Sequence, residues 1–204
     1  MGILASTTSL TRYKVNGVLG ENPIETVETG LKRNKIVDID KEPQEISVGW
    51  TNFNDPYHPD FEGSSFLIAS FFVFSLRIDK KSVPANVLKK HVMMEEKKRL
   101  RESGREFLSK NEKKELKDDV KQILLTRMPP VPYVYDAVWD YENGRLWFYS
   151  TQKTANEELE TLFLKSFNIN LIKLFPYTLA DLELGLSDKE KDILNKLKPS
   201  RFME

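Results

Sequence analysis

The chain has 204 residues, 31 Lys plus Arg against 31 Asp plus Glu, 40% apolar residues and no cysteine. That length carries one substantial core, and the missing thiols exclude disulfides, thiolate zinc sites and cysteine nucleophiles. No apolar run reaches the roughly 20 residues of a membrane span and no basic-then-apolar leader opens the chain, so a cytoplasmic protein without membrane contacts is expected.

Taken in order, SLTRYKV (9–15) alternates as a strand does. Asn22-Pro23 then predicts a helix start, with Pro at the first helical position where its missing N–H costs nothing, and the helix runs to about Arg33. EISVGWTNF (45–53) is a second strand, and 54–65, with two prolines and a glycine, a loop. The aromatic and β-branched run 66–78 predicts one central strand.

Pro84 opens a helix expected to reach about Phe107, and Ser109-x-x-Glu112 has the form of a capping box that starts another. The second helix must end before Pro129-Pro130. VYDAVWDYENGRLWFYS reads as a hairpin turning on Asn143-Gly144, a dipeptide suited to the two positive-φ positions of a type I′ turn. Thr154-x-x-Glu157 predicts the cap of a helix to about Phe167, a short strand follows near NLIKLF, and Ser187-x-x-Glu190 caps a last helix to about Lys198.

The order β-α-β-β, helical pair, β-β-α-β, C-terminal helix predicts an α+β fold with a largely antiparallel sheet. Its organisation is a central sheet domain from 1–82 and 129–180, an inserted helical arm at 83–128, and a C-terminal tail at 181–204.

Charge is distributed unevenly. Residues 77–128 hold 16 Lys or Arg and 9 Asp or Glu, a net +7, leaving 15 against 22 elsewhere. On a helical wheel Leu88, Val92, Leu100 and Phe107 form an apolar stripe on the first arm helix, with Met93 at its edge. Lys90, Lys97, Lys98, Arg101 and Arg105 share one sector. On the second helix Leu116, Val120, Ile123 and Leu124 form the core face beside a row of Lys110, Lys114, Lys117 and Lys121. A solvated helix face explains such runs in most proteins. Here, however, Lys97/Arg101, Arg101/Arg105, Lys110/Lys114, Lys113/Lys117 and Lys117/Lys121 are like-charged i,i+4 pairs, each costing about 0.2–0.5 kcal/mol in an isolated helix. Segregated charge held at a stability cost favours a polyanion partner.

Other chemistry is thinly represented. Asp136, Asp140 and Glu142 lie close in sequence, as a metal-dependent nuclease would need, but polar edges of an exposed hairpin explain them better. His58 and His91 have no metal-pair or dyad spacing, and no phosphate-binding glycine loop is present. Phe66, Phe71, Phe72, Phe74, Trp139, Trp147, Phe148 and Tyr149 read mainly as core, leaving Trp50 and Phe53 as the exposed stacking candidates. No cofactor, metal or catalytic residue is expected.

The ordered series VPANVLKKHVMMEEKKRL, KNEKKELKDDVKQILL, VYDAVWDYENGRLWFYST and LFLKSFNINLIKLFPYTLA resembles the RdgC family, with SLTRYKV and the VGW at 48–50 also matching, over residues 1 to about 180. These are bacterial, recombination-associated DNA-binding proteins, sometimes labelled exonucleases. The resemblance implies a central sheet domain, a projecting helical tip (83–128 here) and a C-terminal base domain. It further implies a dimer or larger homo-oligomer, a basic ring around duplex DNA, nucleoid association, and antagonism of the RecA recombinase. The sequence ends at Glu204, so most of the base domain, and one ring contact with it, is expected to be missing. The combined expectation is sequence-nonspecific DNA binding, duplex favoured, through phosphate contacts from Lys89, Lys90, Lys97, Lys98, Arg101, Arg105, Lys114, Lys117 and Lys121. An oligomerisation or partner-docking protein, and less so a metal-dependent exonuclease, are the alternatives.

Overall fold

A computed structural model describes residues 2–197. Seven strands form one antiparallel sheet in the order β2-β4-β5-β6-β1-β7, with β3 pairing β4 alone. The strands are β1 (Thr11–Asn16), β2 (Ile46–Thr51), β3 (Leu67–Ile68), β4 (Phe71–Lys80), β5 (Val131–Asp140), β6 (Arg145–Phe148) and β7 (Asn170–Leu174). Helices α1 (Pro23–Arg33) and α4 (Lys153–Phe167) cover one face. α2 (Ala85–Ser103) and α3 (Lys110–Leu125) form the helical pair between β4 and β5, and α5 (Pro176–Glu183) and α6 (Asp188–Lys196) close the described chain. The chain is thus α+β with an antiparallel sheet and a C-terminal helix.

Strand alternation decides what is buried. Phe72, Phe74, Leu76 and Ile78 of β4, Ala137 and Trp139 of β5, Leu146 and Phe148 of β6 and Tyr13 of β1 all meet Val27, Leu31, Leu159, Leu162, Phe163 and Phe167 of the covering helices. Trp50 is fully buried, edge-on to Phe74, and its indole N–H donates to Ser166 Oγ at 2.7 Å. It is therefore core, not the exposed stacking residue expected, and Phe53 is half-buried. Gly49 lets residues 35–36 lie against the β2 edge: an added Cβ would stand 2.4 Å from the Ile36 backbone. Gly49→Ala is expected to destabilise the fold by about 1–3 kcal/mol, read as a lowered denaturant midpoint with an unchanged slope.

Three local expectations are corrected. The apolar run 66–78 is not one strand: it turns back at Ala69-Ser70, where Ala69 adopts φ 53°, and β4 then continues to Lys80. The β5–β6 connection is a four-residue loop, Tyr141–Gly144, in which only Gly144 has positive φ, so Asn143-Gly144 is not a type I′ turn. The Asp140 carboxylate organises that loop, accepting from Asn143 N at 3.1 Å and Asn143 Nδ2 at 2.9 Å. α4 starts at Lys153 with Gln152 at its N-cap, two residues ahead of the expected Thr154 cap, and the Asn156 side chain binds back to Ser150 O and Gln152 O. The short strand near NLIKLF is present as β7, and α5, with Pro176 at its first position, follows it as a helix additional to the expected elements. α6 has the expected Ser187–Glu190 capping box and ends at Lys196; Lys198, the expected end, lies outside the described residues.

The opposite sheet face carries a buried polar seam. Arg77 donates Nε and Nη2 to the two carboxylate oxygens of fully buried Asp79 at 2.8 and 2.6 Å, while Tyr57 lies under the guanidinium at 5.5 Å. Asp136 accepts from Ser75 Oγ at 2.8 Å and from Ile3 N at 2.9 Å. It is buried, not the polar edge of an exposed hairpin.

Candidate nucleic-acid interface

The helical pair has its own apolar cluster, separate from the main core: Leu108, Leu116, Val120 and Leu124, packed by Val83, Val87, Leu88, Val92 and Leu100. The Ser109 capping box is present: Glu112 N donates to Ser109 Oγ at 3.3 Å and Ser109 N to Glu112 Oε2 at 2.7 Å. α2 stops at Ser103 because Gly104 takes the left-handed cap conformation, φ 63°. Phe107, expected on the apolar stripe, therefore lies in the interhelix turn, 73% exposed. Ile123, expected in the core face of α3, is 53% exposed. It borders an open groove of about 650 Å³ between the helices, beside His91, Asp119 and Arg127, and Leu125 is buried instead.

Lys81, just past β4, fastens the pair to the sheet. It is buried, and its ammonium donates to Asp40 O at 2.8 Å and to Glu42 O and Leu125 O at 3.0 Å. Leu125 is the last residue of α3, where helix carbonyls lack intrahelical partners and carry the negative end of the dipole. Arg77 and Lys81 thus belong to the fold, and both must be subtracted from the basic excess counted over 77–128.

The nine cations singled out above divide as follows. Lys89, Lys90, Lys97, Lys98 and Arg101 lie exposed on α2, and Lys114 and Lys117 exposed on α3. None of these seven is in an ion pair among the described residues. Arg105 sits in the turn after α2, not on its basic sector, and binds Glu112 through both terminal nitrogens at 2.7 and 2.9 Å. Lys121 is half-buried and pairs with Glu45 at 2.5 Å.

Two cross-helix pairs orient the cationic flanks. Lys113 meets Glu96 at 2.9 Å, and Arg99 meets Asp119 at 3.1 Å. Glu96 shares a flank with Lys89 two turns away, and Lys113 shares one with Lys117 a turn on. The Lys113–Glu96 contact therefore turns the Lys89 side of α2 and the Lys117 side of α3 the same way. The outer face of α2 adds Met93 and Met94, 49% and 58% exposed, among Lys89, Lys90 and Lys97.

The Arg105–Glu112 pair also tunes the cap. The guanidinium, with further bonds from Ser109, holds the Glu112 carboxyl at about 2, below its ordinary 4.5. Because the folded value is depressed, this group's contribution to stability is complete above the unfolded value. It is lost as pH falls through about 2. A carbon-detected titration is expected to place the Glu112 midpoint near 2, with Arg105→Gln moving it upward.

Asp136 and Asp140 are engaged within the fold. Both oxygens of Asp136 and both of Asp140 accept the structural hydrogen bonds already described. Among the described residues no group of three or more His, Cys, Asp or Glu could hold a metal ion, and no helix is long and apolar enough to cross a membrane. His58 is exposed and bonds Asp55 at 2.8 Å.

These features define an antiparallel α+β protein with a lysine-bearing helical pair inserted between two central strands. The family model described as "Putative exonuclease, RdgC" matches residues 9–181, and the chain belongs to that family. No curated protein matches it.

Proposed function

We propose that the protein binds DNA without sequence preference, in a role linked to recombination, through the cationic flanks of α2 and α3. The observation that carries this reading is the set of seven exposed cations with no acidic partner among the described residues, concentrated on one helical pair in which Arg99, Arg105 and Lys113 are the cations paired with its own carboxylates. Phosphate oxygens would receive Lys89, Lys90, Lys97, Lys98, Arg101, Lys114 and Lys117. Such contacts position the protein without reading bases, and duplex is the favoured form. Arg105 and Lys121 join the set by exchanging Glu112 and Glu45 for phosphate, and contribute less for that reason.

Membership of the RdgC family supports the recombination link. It also supports the expected homodimer or larger assembly, nucleoid association, antagonism of RecA, and a division into sheet domain (1–82, 129–180), arm (83–128) and tail (181–204). The test is fluorescence anisotropy of a labelled 30-base-pair duplex titrated at several salt concentrations. Neutralising about five phosphates gives a slope of log K against log salt of about −4.5, a loss of about 500-fold between 50 and 200 mM. Salt-insensitive binding, or none, overturns the proposal.

One observation favours a second reading, oligomerisation or partner docking. Met93, Met94 and Phe107 expose large apolar surface on the same helical pair, as interfaces do. Under that reading Met93→Ser/Met94→Ser abolishes assembly while lysine substitutions leave it intact. For the exonuclease named in the family description, magnesium-dependent loss of end-labelled DNA that Asp136→Asn or Asp140→Asn abolishes is the deciding result.

A further inference from the structure

β5 is longer than its neighbour. Its residues 131–135 pair with β4 on one side, but β6 pairs only with Ala137–Asp140 on the other. After Phe148 the chain leaves the sheet for α4, and the place where β6 would have continued is a cleft of about 320 Å³. That volume lies at the small end of the roughly 300–1,000 Å³ range of ligand pockets. Tyr133, Tyr135 and Tyr149 line it, with Ser9, Thr151 and Gln152 contributing polar groups. It opens at the root of the arm, because Pro132–Tyr135 follow directly on the segment joining α3 to β5.

We infer that this cleft receives an unpaired nucleobase, giving the protein a grip on single-stranded nucleic acid at the root of the arm. The inference rests on the nucleic-acid reading above and adds to it a second kind of contact.

Three observations support a base as the occupant. First, two of the rings are already held in place. Tyr135 packs against Phe148 with centroids 5.9 Å apart and donates its hydroxyl to Gln152 Oε1 at 2.8 Å, while Tyr133 carries the Lys80 ammonium 5.8 Å from its centroid. Rings fixed before binding lose little entropy on stacking. Second, among the described residues no carboxylate lines the cleft, and the Lys80 ammonium stands over its Tyr133 wall, so a phosphate flanking an inserted base meets a cation there. Third, the strand edge is poorly suited to an added peptide strand. Asp136 turns its carbonyl toward the β6 side, where Tyr149 N reaches it at 2.9 Å. By strand alternation Pro132 faces the same side, and it has no N–H to offer. Aromatic stacking with hydrogen bonds from hydroxyl and amide groups suits any base, which fits binding without sequence preference.

The test compares a 15-nucleotide single strand carrying 2-aminopurine with a 30-base-pair duplex, using the full chain. Wild type is expected to bind both and to quench 2-aminopurine. Tyr133→Ala and Tyr149→Ala are each expected to lower single-strand affinity about tenfold and to relieve quenching, with duplex affinity unchanged. Tyr133→Phe keeps the ring and should restore both signals; thermal unfolding of each variant checks that the fold persists. Single-strand binding unaltered in the alanine variants, or lost equally for both DNAs, overturns the cleft while leaving the arm intact. No binding of either DNA by wild type overturns the arm and the cleft together.

Discussion

Replacing Lys97, Arg101 and Lys117 together by glutamine is expected to flatten the salt dependence of duplex binding. If wild type neutralises about five phosphates, removing three leaves two, and the slope changes from about −4.5 to about −1.8. Each substitution removes one counterion-releasing contact without touching the apolar cluster, since all three side chains are exposed and unpaired among the described residues. Relief of the like-charged pairs Lys97/Arg101 and Lys117/Lys121 should even stabilise the helices slightly. The stability and binding effects thus have opposite signs, so loss of binding cannot be ascribed to unfolding. Lys121→Gln alone should have a smaller effect, because Glu45 already neutralises that ammonium.

Lys81→Met is expected to be the most destabilising lysine substitution in the chain. It leaves three carbonyls, those of Asp40, Glu42 and Leu125, without the cation that satisfies them. Hydrogen bonds to a charged donor are worth about 1.5–3 kcal/mol each, partly offset by relief of the buried charge. A net loss of about 3 kcal/mol lowers Tm by roughly 6–12 °C for a chain of this size. Because one of those carbonyls ends α3, amide exchange should rise most in the last turn of that helix. Lys80→Met, one residue earlier and exposed, should stay within about 0.5 kcal/mol of wild type. Equal effects at the two positions would mean that the ammonium does not hold the arm.

The parts of this fold that were legible in the sequence are those governed by local chemistry. Pro23 at a first helical position, the Ser109–Glu112 box and the alternation of β1 each act within a few residues, and the structure contains each of them. The misses arise where distant residues decide. Ala69 and Ser70 turn the chain with neither Gly nor Pro, as the small residues inside an unbroken apolar run. Asp136 looks like a hairpin carboxylate until Ser75 and the backbone of Ile3, 61 and 133 positions away, are brought to it. Lys81 is one lysine among many in a basic segment, and its burial depends on a loop 39–41 residues upstream and a helix end 44 downstream. A left-handed Gly104 was available as a signal that α2 stops early, which would have moved Arg105 and Phe107 off the helix. The tyrosine cleft had only the alternation Tyr133-x-Tyr135 to announce it, since its third wall comes from the chain leaving β6.

The most direct measurement of the central claim is lysine footprinting by acetylation, with and without saturating duplex DNA at low salt. DNA is expected to protect Lys89, Lys90, Lys97, Lys98, Lys114 and Lys117. Lys173, exposed on β7 at the sheet edge away from the helical pair, serves as the reference and should react as before. Protection confined to lysines outside α2 and α3, or no protection at concentrations where the complex has formed, would contradict the account.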